Sequence, residues 1–205
     1  MRTLAIDSAT EACSVAHFDD DTMIAGEWRM LGRGHAELLV PMIAALPGKG
    51  RAERIVVSLG PGSFTGVRVG LAAARALALA WGADIAGFPT LDLVAAMARE
   101  KGGRVPVTVA MTGGHGEWFV QGYDKDGTLT HPLASLPPAI AVEVQTQLVA
   151  GSQAEALVNA RGFGEALALW PDARSFPLLP DTALIGEIHP LYGRPPDARL
   201  PGGAR

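Results

Sequence analysis

The chain has 205 residues, a formal net charge of −4 and a hydrophobic content of 48%, which is enough to bury the core of one large domain or of two lobes. The negative charge argues against a chain that is itself the main binder of a nucleic-acid backbone. Because Cys13 is the one cysteine, no internal disulfide can form. Asp7 lies too near the start for a signal-peptide core, and Arg68 and Arg75 interrupt the longest apolar run, which excludes a membrane span there. We therefore expect a cytoplasmic protein.

The first half of the chain alternates between predicted strands and helices. Three short strands joined by tight turns predict an antiparallel meander, and the strand–helix pairs that follow predict parallel additions to it, hence an α/β lobe. Pro41 lies inside the first predicted helix, where it should kink the helix or cost it a hydrogen bond. The predicted strands are 2–10, 13–18, 23–28, 54–60 and 83–90, and the predicted helices are 35–46, 65–81 and 91–100.

The second half begins as the first does, with three short strands, and this weak internal repeat predicts a second lobe. We place the boundary between the lobes at 101–105, which gives a first lobe of residues 1–100 and a smaller second lobe of 101–192. The predicted elements of the second lobe are strands at 105–114, 117–124 and 128–135, then a helix near 139–149, a strand near 155–160 and a helix near 163–170. The Pro/Gly-rich tail, 193–205, is expected to be poorly ordered.

A glycine-rich loop, "GPGSFTG", separates the strand at 54–60 from the following helix. Gly60, Gly62 and Gly66 would let the backbone approach a ligand closely, and Ser63 stands near the helix start, where backbone N–H groups bind anions. A phosphate-binding P-loop would also need a lysine, and none follows here. The loop is thus a nucleotide site, a relic of one, or a tight strand-to-helix turn.

Asp7 and Ser8 directly follow the first apolar strand. Carboxylates and hydroxyls at such strand ends often meet phosphates and metals in two-lobed kinase-like folds, whereas an Asx-turn is the structural alternative for Asp7. No two of the five histidines lie within five residues, so no local metal-binding pair exists. His35 is expected to be a partly exposed helix-start residue and Cys13 a buried, inert thiol. We predict no catalytic residue and no metal site.

The helix at 65–81 is apolar nearly all round, which predicts burial nearly all round. The sheet would cover one face, and a partner molecule would cover part of the rest, together with the helix at 35–46; complete burial within one chain is the alternative. The residues predicted to form a subunit interface are His35, Leu38, Leu39, Met42, Val67, Leu71, Ala74 and Ala78.

Four segments, "LAIDSATEACSVA", "HAELLVPMI", "GPGSFTGVRVGLAAARALALA" and "PLYGRPPDA", resemble the bacterial TsaB family in order along nearly the whole chain. The resemblance implies an α/β fold, a two-lobed actin-like ATPase domain of the sugar kinase/Hsp70/actin type, with a mixed sheet and flanking helices in each lobe. It implies a non-catalytic subunit of the machinery that forms N6-threonylcarbamoyladenosine beside the anticodon of tRNAs reading ANN codons.

The resemblance also implies the partners. The chain would dimerise with the catalytic TsaD subunit, its paralogue, and the TsaE ATPase would join them, while tRNA would be met only through the complex and no membrane would be involved. The isolated chain would bind no cofactor, ATP or ADP would enter at the level of the complex, and a homodimer of the isolated chain is left open.

The departures from TsaD bear on the glycine loop. TsaD carries a metal-binding HxxxH motif where this sequence has Thr90 and Val94, which cannot replace two histidines as ligands. The loop is therefore interpreted as an inherited turn that begins an interface helix, with residual phosphate contact left open at Asp7, Ser8, Gly60, Gly62, Ser63 and Gly66. The alternative function is an ATP-dependent phosphotransferase, although Thr112 stands where its second carboxylate would be sought.

Overall fold

The computed structural model describes residues 1–193 and contains two five-stranded mixed sheets with flanking helices. In the first sheet the strand order is β3-β2-β1-β4-β5, and in the second it is β10-β9-β6-β7-β8. The strands of the first sheet are β1 (Arg2–Asp7), β2 (Ala12–Asp19), β3 (Thr22–Met30), β4 (Arg54–Ser58) and β5 (Asp84–Phe88). Those of the second are β6 (Val107–Thr112), β7 (Trp118–Tyr123), β8 (Leu129–Leu136), β9 (Leu148–Ala150) and β10 (Glu165–Leu167).

The two sheets have the same topology. In each, three consecutive strands form an antiparallel meander, and two further strands add in parallel beside the first strand of that meander. The predicted internal repeat and the predicted α/β fold, with a mixed sheet and flanking helices in each half, are thereby confirmed. The boundary at 101–105 stays a prediction, because one core cluster contains residues from both sides of it, such as Val56 and Val109.

The helices form the layers around the sheets. On the outer side of the first sheet lie α1 (His35–Ala45) and α2 (Phe64–Trp81), which share a core cluster with β1 and β4, and on the outer side of the second lie α4 (Pro138–Ala141) and α5 (Ala154–Arg161). Between the sheets lies α3 (Thr90–Gly102), packed with the 3-10 segment Ala173–Leu178. Every residue of α3 from position 90 to 98 except Asp92 is buried.

The helix buried all round within the chain is therefore α3, and the alternative that α2 is completely buried within one chain is wrong, whereas its cover by a partner molecule stays a prediction. Phe64 and Leu79 of α2 are 71% and 87% exposed. By length and composition alone α2 could cross a membrane, with a mean hydropathy of 1.2. A core helix passes the same test, and the inner face of α2 packs in a core cluster with Val57.

Three predicted elements of the second lobe are wrong. The predicted helix near 139–149 contains only the short α4 followed by β9, the predicted strand near 155–160 is α5, and the predicted helix near 163–170 contains β10. The strands β9 and β10 have three residues each, too few for a recognisable period, and pairing decides their conformation, since β9 pairs with β6 and β10 pairs with β9. The sequence of α5, "AEALVNAR", consists mostly of good helix formers and ends at Gly162 in the left-handed conformation. The predicted disordered tail lies outside the described residues from position 194 onward.

Candidate functional site: the glycine loop, the inter-lobe cleft and the outer helices

The glycines of the loop allow α2 to pack directly on the turn between β1 and β2. A Cβ atom at Gly62 would lie 2.0 Å from the carbonyl oxygen of Ala9, and one at Gly66 would lie 2.2 Å from that of Ser8. The next turn continues this contact, because a Cβ at Gly70 would lie 2.6 Å from Ser8 Oγ. These glycines are thus required by close packing within the chain, without any ligand.

The polar groups of the loop also have partners within the chain. Ser8 Oγ donates to the carbonyl of Gly66 at 2.9 Å, and Ser63 N donates to the carbonyl of Ala9 at 2.7 Å. Ser63 Oγ caps α2 by accepting from Gly66 N at 3.2 Å. Gly60 has a φ of 90° and packs against the carbonyl of Leu191. A phosphate contact in this loop stays a prediction, and the loop has the geometry of a strand-to-helix turn.

Asp7 is completely buried. Its Oδ1 atom accepts a hydrogen bond from Ala9 N at 3.0 Å, which is the Asx-turn alternative, and its Oδ2 atom is without a hydrogen-bond partner among residues 1–193. Burial raises the pKa of this carboxyl group to about 7 and outweighs the opposing effects of the Ala9 hydrogen bond and of the nearby Ser58 hydroxyl group. A carboxyl group without exposed surface is poorly placed to bind a phosphate-bound metal ion from the cleft.

A cleft of about 340 Å³ separates the two lobes beside the loop. Thr10 and Ser63 line its first wall, while Thr112 and Gly114 line the second. Thr112 stands at the position where a kinase-like fold would have its second carboxylate. Its Oγ1 atom accepts a hydrogen bond from Gln153 Nε2 at 2.9 Å, so this hydroxyl group already has a partner within the second lobe.

The two positions where the resemblance places the metal ligands of TsaD, Thr90 and Val94, are both buried. Thr90 Oγ1 lies 2.6 Å from Ser58 Oγ, and Val94 belongs to the core between the sheets. Within residues 1–193, no group of three or more His, Cys, Asp or Glu side chains could hold a metal ion. That the protein binds no metal stays a prediction.

Most residues predicted to form the subunit interface are buried within the chain. Their side chains pack between the first sheet and its outer helices, so they contribute to the core of the protomer and offer no free surface. The residues so corrected are His35, Leu39, Met42, Val67, Leu71, Ala74 and Ala78, while Leu38 is half-buried. The wrong face of α2 was assigned to the subunit interface because α2 is apolar on both faces, and periodicity alone does not say which face packs on the sheet. The spacing of Gly66 and Gly70 was the available signal, since small residues mark the face that approaches backbone closely.

The exposed surface of these two helices lies on their opposite side. We call it the outer face and define it by its exposed apolar residues: Val40, Ala44, Ala72, Ala76, Leu79 and Ala80. Beside them, Arg75 of α2 and Glu37 of α1 are also exposed. The helices α1 and α2 pack against each other on the first sheet. The existence of a subunit interface stays a prediction, now attached to the outer face.

His35 and Cys13 have different outcomes. His35 is only 8% exposed, and its Nε2 atom lies 3.3 Å from the carbonyl of Ala12, so the prediction of a partly exposed residue is wrong. Cys13 is buried as predicted, and burial raises the pKa of its thiol to about 12, which keeps it protonated and unreactive.

Sequence reasoning missed the role of the two arginines of α2. Arg68 stacks on the Phe64 ring at 3.3 Å from the ring centroid and donates to Tyr192 Oη at 2.9 Å, and Arg75 donates to the carbonyl of Ile188. The two arginines thus fasten the C-terminal segment along α2. Their separation of seven residues, which places them on one stripe, was the available signal.

Residues 29–158 match the family model described as "TsaD: tRNA N6-adenosine threonylcarbamoyltransferase". The tRNA threonylcarbamoyladenosine biosynthesis protein TsaB of Escherichia coli is 39% identical over 131 residues, which are 62% of this chain and 56% of that protein. Its Bacillus subtilis counterpart is 32% identical over 110 residues, 51% of this chain and 48% of that protein, so the chain matches about half the length of these relatives.

Solved structures match over more of the chain. YeaZ from Pseudomonas aeruginosa has a TM-score of 0.76 and 26% identity, covering 93% of this chain and 99% of that one. A Pseudomonas aeruginosa protein described as similar to peptidase YEAZ has a TM-score of 0.77 at 26% identity, covering 94% and 99%. The chain belongs to the TsaD threonylcarbamoyltransferase family and, within that family, to TsaB.

Proposed function

We propose that the chain takes part in tRNA threonylcarbamoyladenosine biosynthesis as a non-catalytic subunit that pairs with a catalytic TsaD subunit through the outer face. The family and the names of the TsaB relatives support the pathway. The observation that carries the pairing is the outer face itself, an apolar surface on two adjoining helices.

The outer face has the composition of a helix–helix interface. Leu79 and Val40, at 87% and 54% exposure, supply larger apolar groups, while Ala72, Ala76 and Ala80 would allow close approach of a partner helix. Contiguous apolar surface on a folded chain usually marks an interaction site, and burying it releases on the order of 25 cal/mol per Å².

The residues around the cleft favour a supporting role over catalysis. Asp7 is sealed in the core, Thr112 is bonded within its own lobe, and Thr90 and Val94 offer no pair of metal ligands. No observation specifically favours the alternative phosphotransferase. In the proposed assembly TsaE joins the pair, ATP or ADP and tRNA are bound only by the complex, and the complex works in the cytoplasm.

The test is a charge in the middle of the outer face. Ala76→Lys should leave the fold intact, because the side chain of this residue is exposed and lysine is a good helix former. Against the apolar surface of a partner the same ammonium group must lose its water, which costs several kcal/mol and should weaken binding to the TsaD subunit about 100-fold or more.

The matched control is Ala156→Lys, an exposed alanine on α5 of the second lobe. Circular dichroism would verify folding, and titration calorimetry with the purified TsaD subunit would measure affinity. Equal affinities for wild type and folded Ala76→Lys would refute the placement of the interface. Failure of the wild-type chain to bind TsaD would refute the proposed function.

A further inference from the structure

A second cavity, of about 370 Å³, lies away from the inter-lobe cleft, between α3, the turn after β7 and the 3-10 segments of the C-terminal region. Its volume falls within the usual range of small-molecule sites. One wall is apolar and is formed by Pro177, Leu178, Leu179 and Pro180. The other is polar and is formed by Asp92, Arg99, Tyr123 and Asp126. Nothing in the proposed function uses this cavity.

The guanidinium group of Arg99 has no hydrogen-bond acceptor within the described part of the chain. Within residues 1–193 it makes no hydrogen bond and no salt bridge, although it is only partly exposed; burial raises the pKa of Asp92, and the charge of Arg99 opposes that rise. The group lies against Gly127, where a Cβ atom would be 2.7 Å from Nη2. The turn is fixed by Asp124 Oδ1, which accepts from the backbone N–H groups of Asp126 and Thr128, each at 2.8 Å.

The carboxylate of Asp126 also lines the cavity but is engaged elsewhere. Its Oδ1 atom accepts from Arg104, and its Oδ2 atom accepts from Lys125 at 2.6 Å. The two cations already neutralise this carboxylate, so Arg99 keeps a fork of donors that suits an external carboxylate.

Asp92 supplies a complementary acceptor on the same wall. Tyr123 Oη donates to Asp92 Oδ1 at 2.6 Å, and Tyr123 is itself buried, so this oxygen is fixed. The described chain provides no donor to Asp92 Oδ2. Asp92 and Arg99 are seven residues apart on α3, two helical turns, and therefore share one face.

We propose that this cavity binds a free α-amino acid with an aliphatic side chain, whose carboxylate pairs with Arg99, whose ammonium group donates to Asp92, and whose side chain packs against Leu178 and Leu179. A simple anion would leave the acceptor of Asp92 unsatisfied, and a simple cation would leave the donors of Arg99 unsatisfied. The apolar wall favours an aliphatic side chain over a charged one.

The experiment titrates the full chain with L-leucine, and with its methyl ester and its N-acetyl derivative, which lack the carboxylate and the ammonium group respectively. Saturation-transfer NMR and titration calorimetry would measure binding. Leucine should bind saturably, and each derivative should bind at least 10-fold more weakly. L-Glutamate and L-lysine serve as ligands of the wrong side-chain chemistry.

Arg99→Met keeps the apolar stem, removes the donors and should weaken leucine at least 10-fold, whereas Arg51→Met, on an exposed residue outside the cavity, should have no effect. Asp92→Asn keeps an oxygen that accepts from Tyr123 and should weaken leucine binding to a similar degree. If circular dichroism shows that Arg99→Met is unfolded, Asp92→Asn is the test variant in its place. The proposal is overturned if wild type shows no saturable binding of leucine. Equal binding of leucine and both derivatives, or unchanged binding in a folded Arg99→Met variant, would overturn it as well.

Discussion

The buried carboxyl group of Asp7 should make the protein less stable as the pH rises. Burial raises the pKa of Asp7 from 3.8 to about 7, so between these values the folded chain holds a proton that the unfolded chain has lost. The free energy of unfolding must therefore fall as the pH rises through this window, and the loss is complete above the folded-state pKa.

The size of the effect follows from the shift. A shift of roughly three pKa units, at about 1.4 kcal/mol per unit, gives a loss of about 2 kcal/mol by pH 5 and of about 4 kcal/mol by pH 8. Asp7→Asn keeps the acceptor for Ala9 N and removes the titration. Relative to wild type, the variant should thus gain roughly 2–3 kcal/mol in unfolding free energy between pH 5 and pH 8.

Urea unfolding followed by circular dichroism at pH 5, 6, 7 and 8 would measure the difference between variant and wild type, in which the titration of all other groups cancels. Asp21→Asn is the control, because its side chain is exposed. A difference between Asp7→Asn and wild type that does not change with pH would show that the carboxyl group is hydrated or hydrogen-bonded in solution, and the reasoning would fail.

Three further predictions concern the same lobe. Ala74→Lys should unfold the chain or make it insoluble whether or not the TsaD subunit is present, because Ala74 is fully buried, and a folded variant in circular dichroism would contradict the inward placement of this face. Gly66→Ala should lower the free energy of unfolding by about 1–3 kcal/mol in urea titrations, since the new methyl group would meet Ser8 O, whereas Gly114→Ala, with open space around it, should change little. Elemental analysis of the purified chain should find no stoichiometric metal, as the residues at Thr90 and Val94 imply, and one zinc or iron per chain would contradict this.

The sequence predicted the first sheet well because its strands are long enough to show their pattern. The meander of β1–β3 and the parallel additions β4 and β5 have five to nine residues each and clear turns between them. In the second sheet the added strands β9 and β10 have three residues each, and they become strands because β6 offers an edge to β9, which in turn offers an edge to β10. Long-range pairing of this kind overrides local propensity and leaves no local signal.

The site was predicted less well, for a related reason. A loop with three glycines has the same composition whether it surrounds a phosphate or a neighbouring carbonyl group, and only the distances from Gly62 and Gly66 to the turn after β1 distinguish these cases. Likewise, the charge of Arg99 could be counted in the sequence, but its lack of an acceptor depends on Lys125 and Arg104, which neutralise Asp126 first.

The duplicated topology also bears on why one lobe would carry the partner surface. In each sheet, one helix precedes the first parallel strand and one connects the two parallel strands, so α4 corresponds to α1 and α5 corresponds to α2. The helices of the first lobe have 11 and 18 residues, whereas those of the second have 4 and 8. A helix of 18 residues has about five turns and can present a continuous apolar stripe to a partner. The two turns of α5 expose Glu155 and Asn159 beside Ala156, a mixed surface with no such stripe. The outer helix surface is therefore long and largely apolar only in the first lobe. For this reason Ala76→Lys should separate the subunits, whereas Ala156→Lys should not.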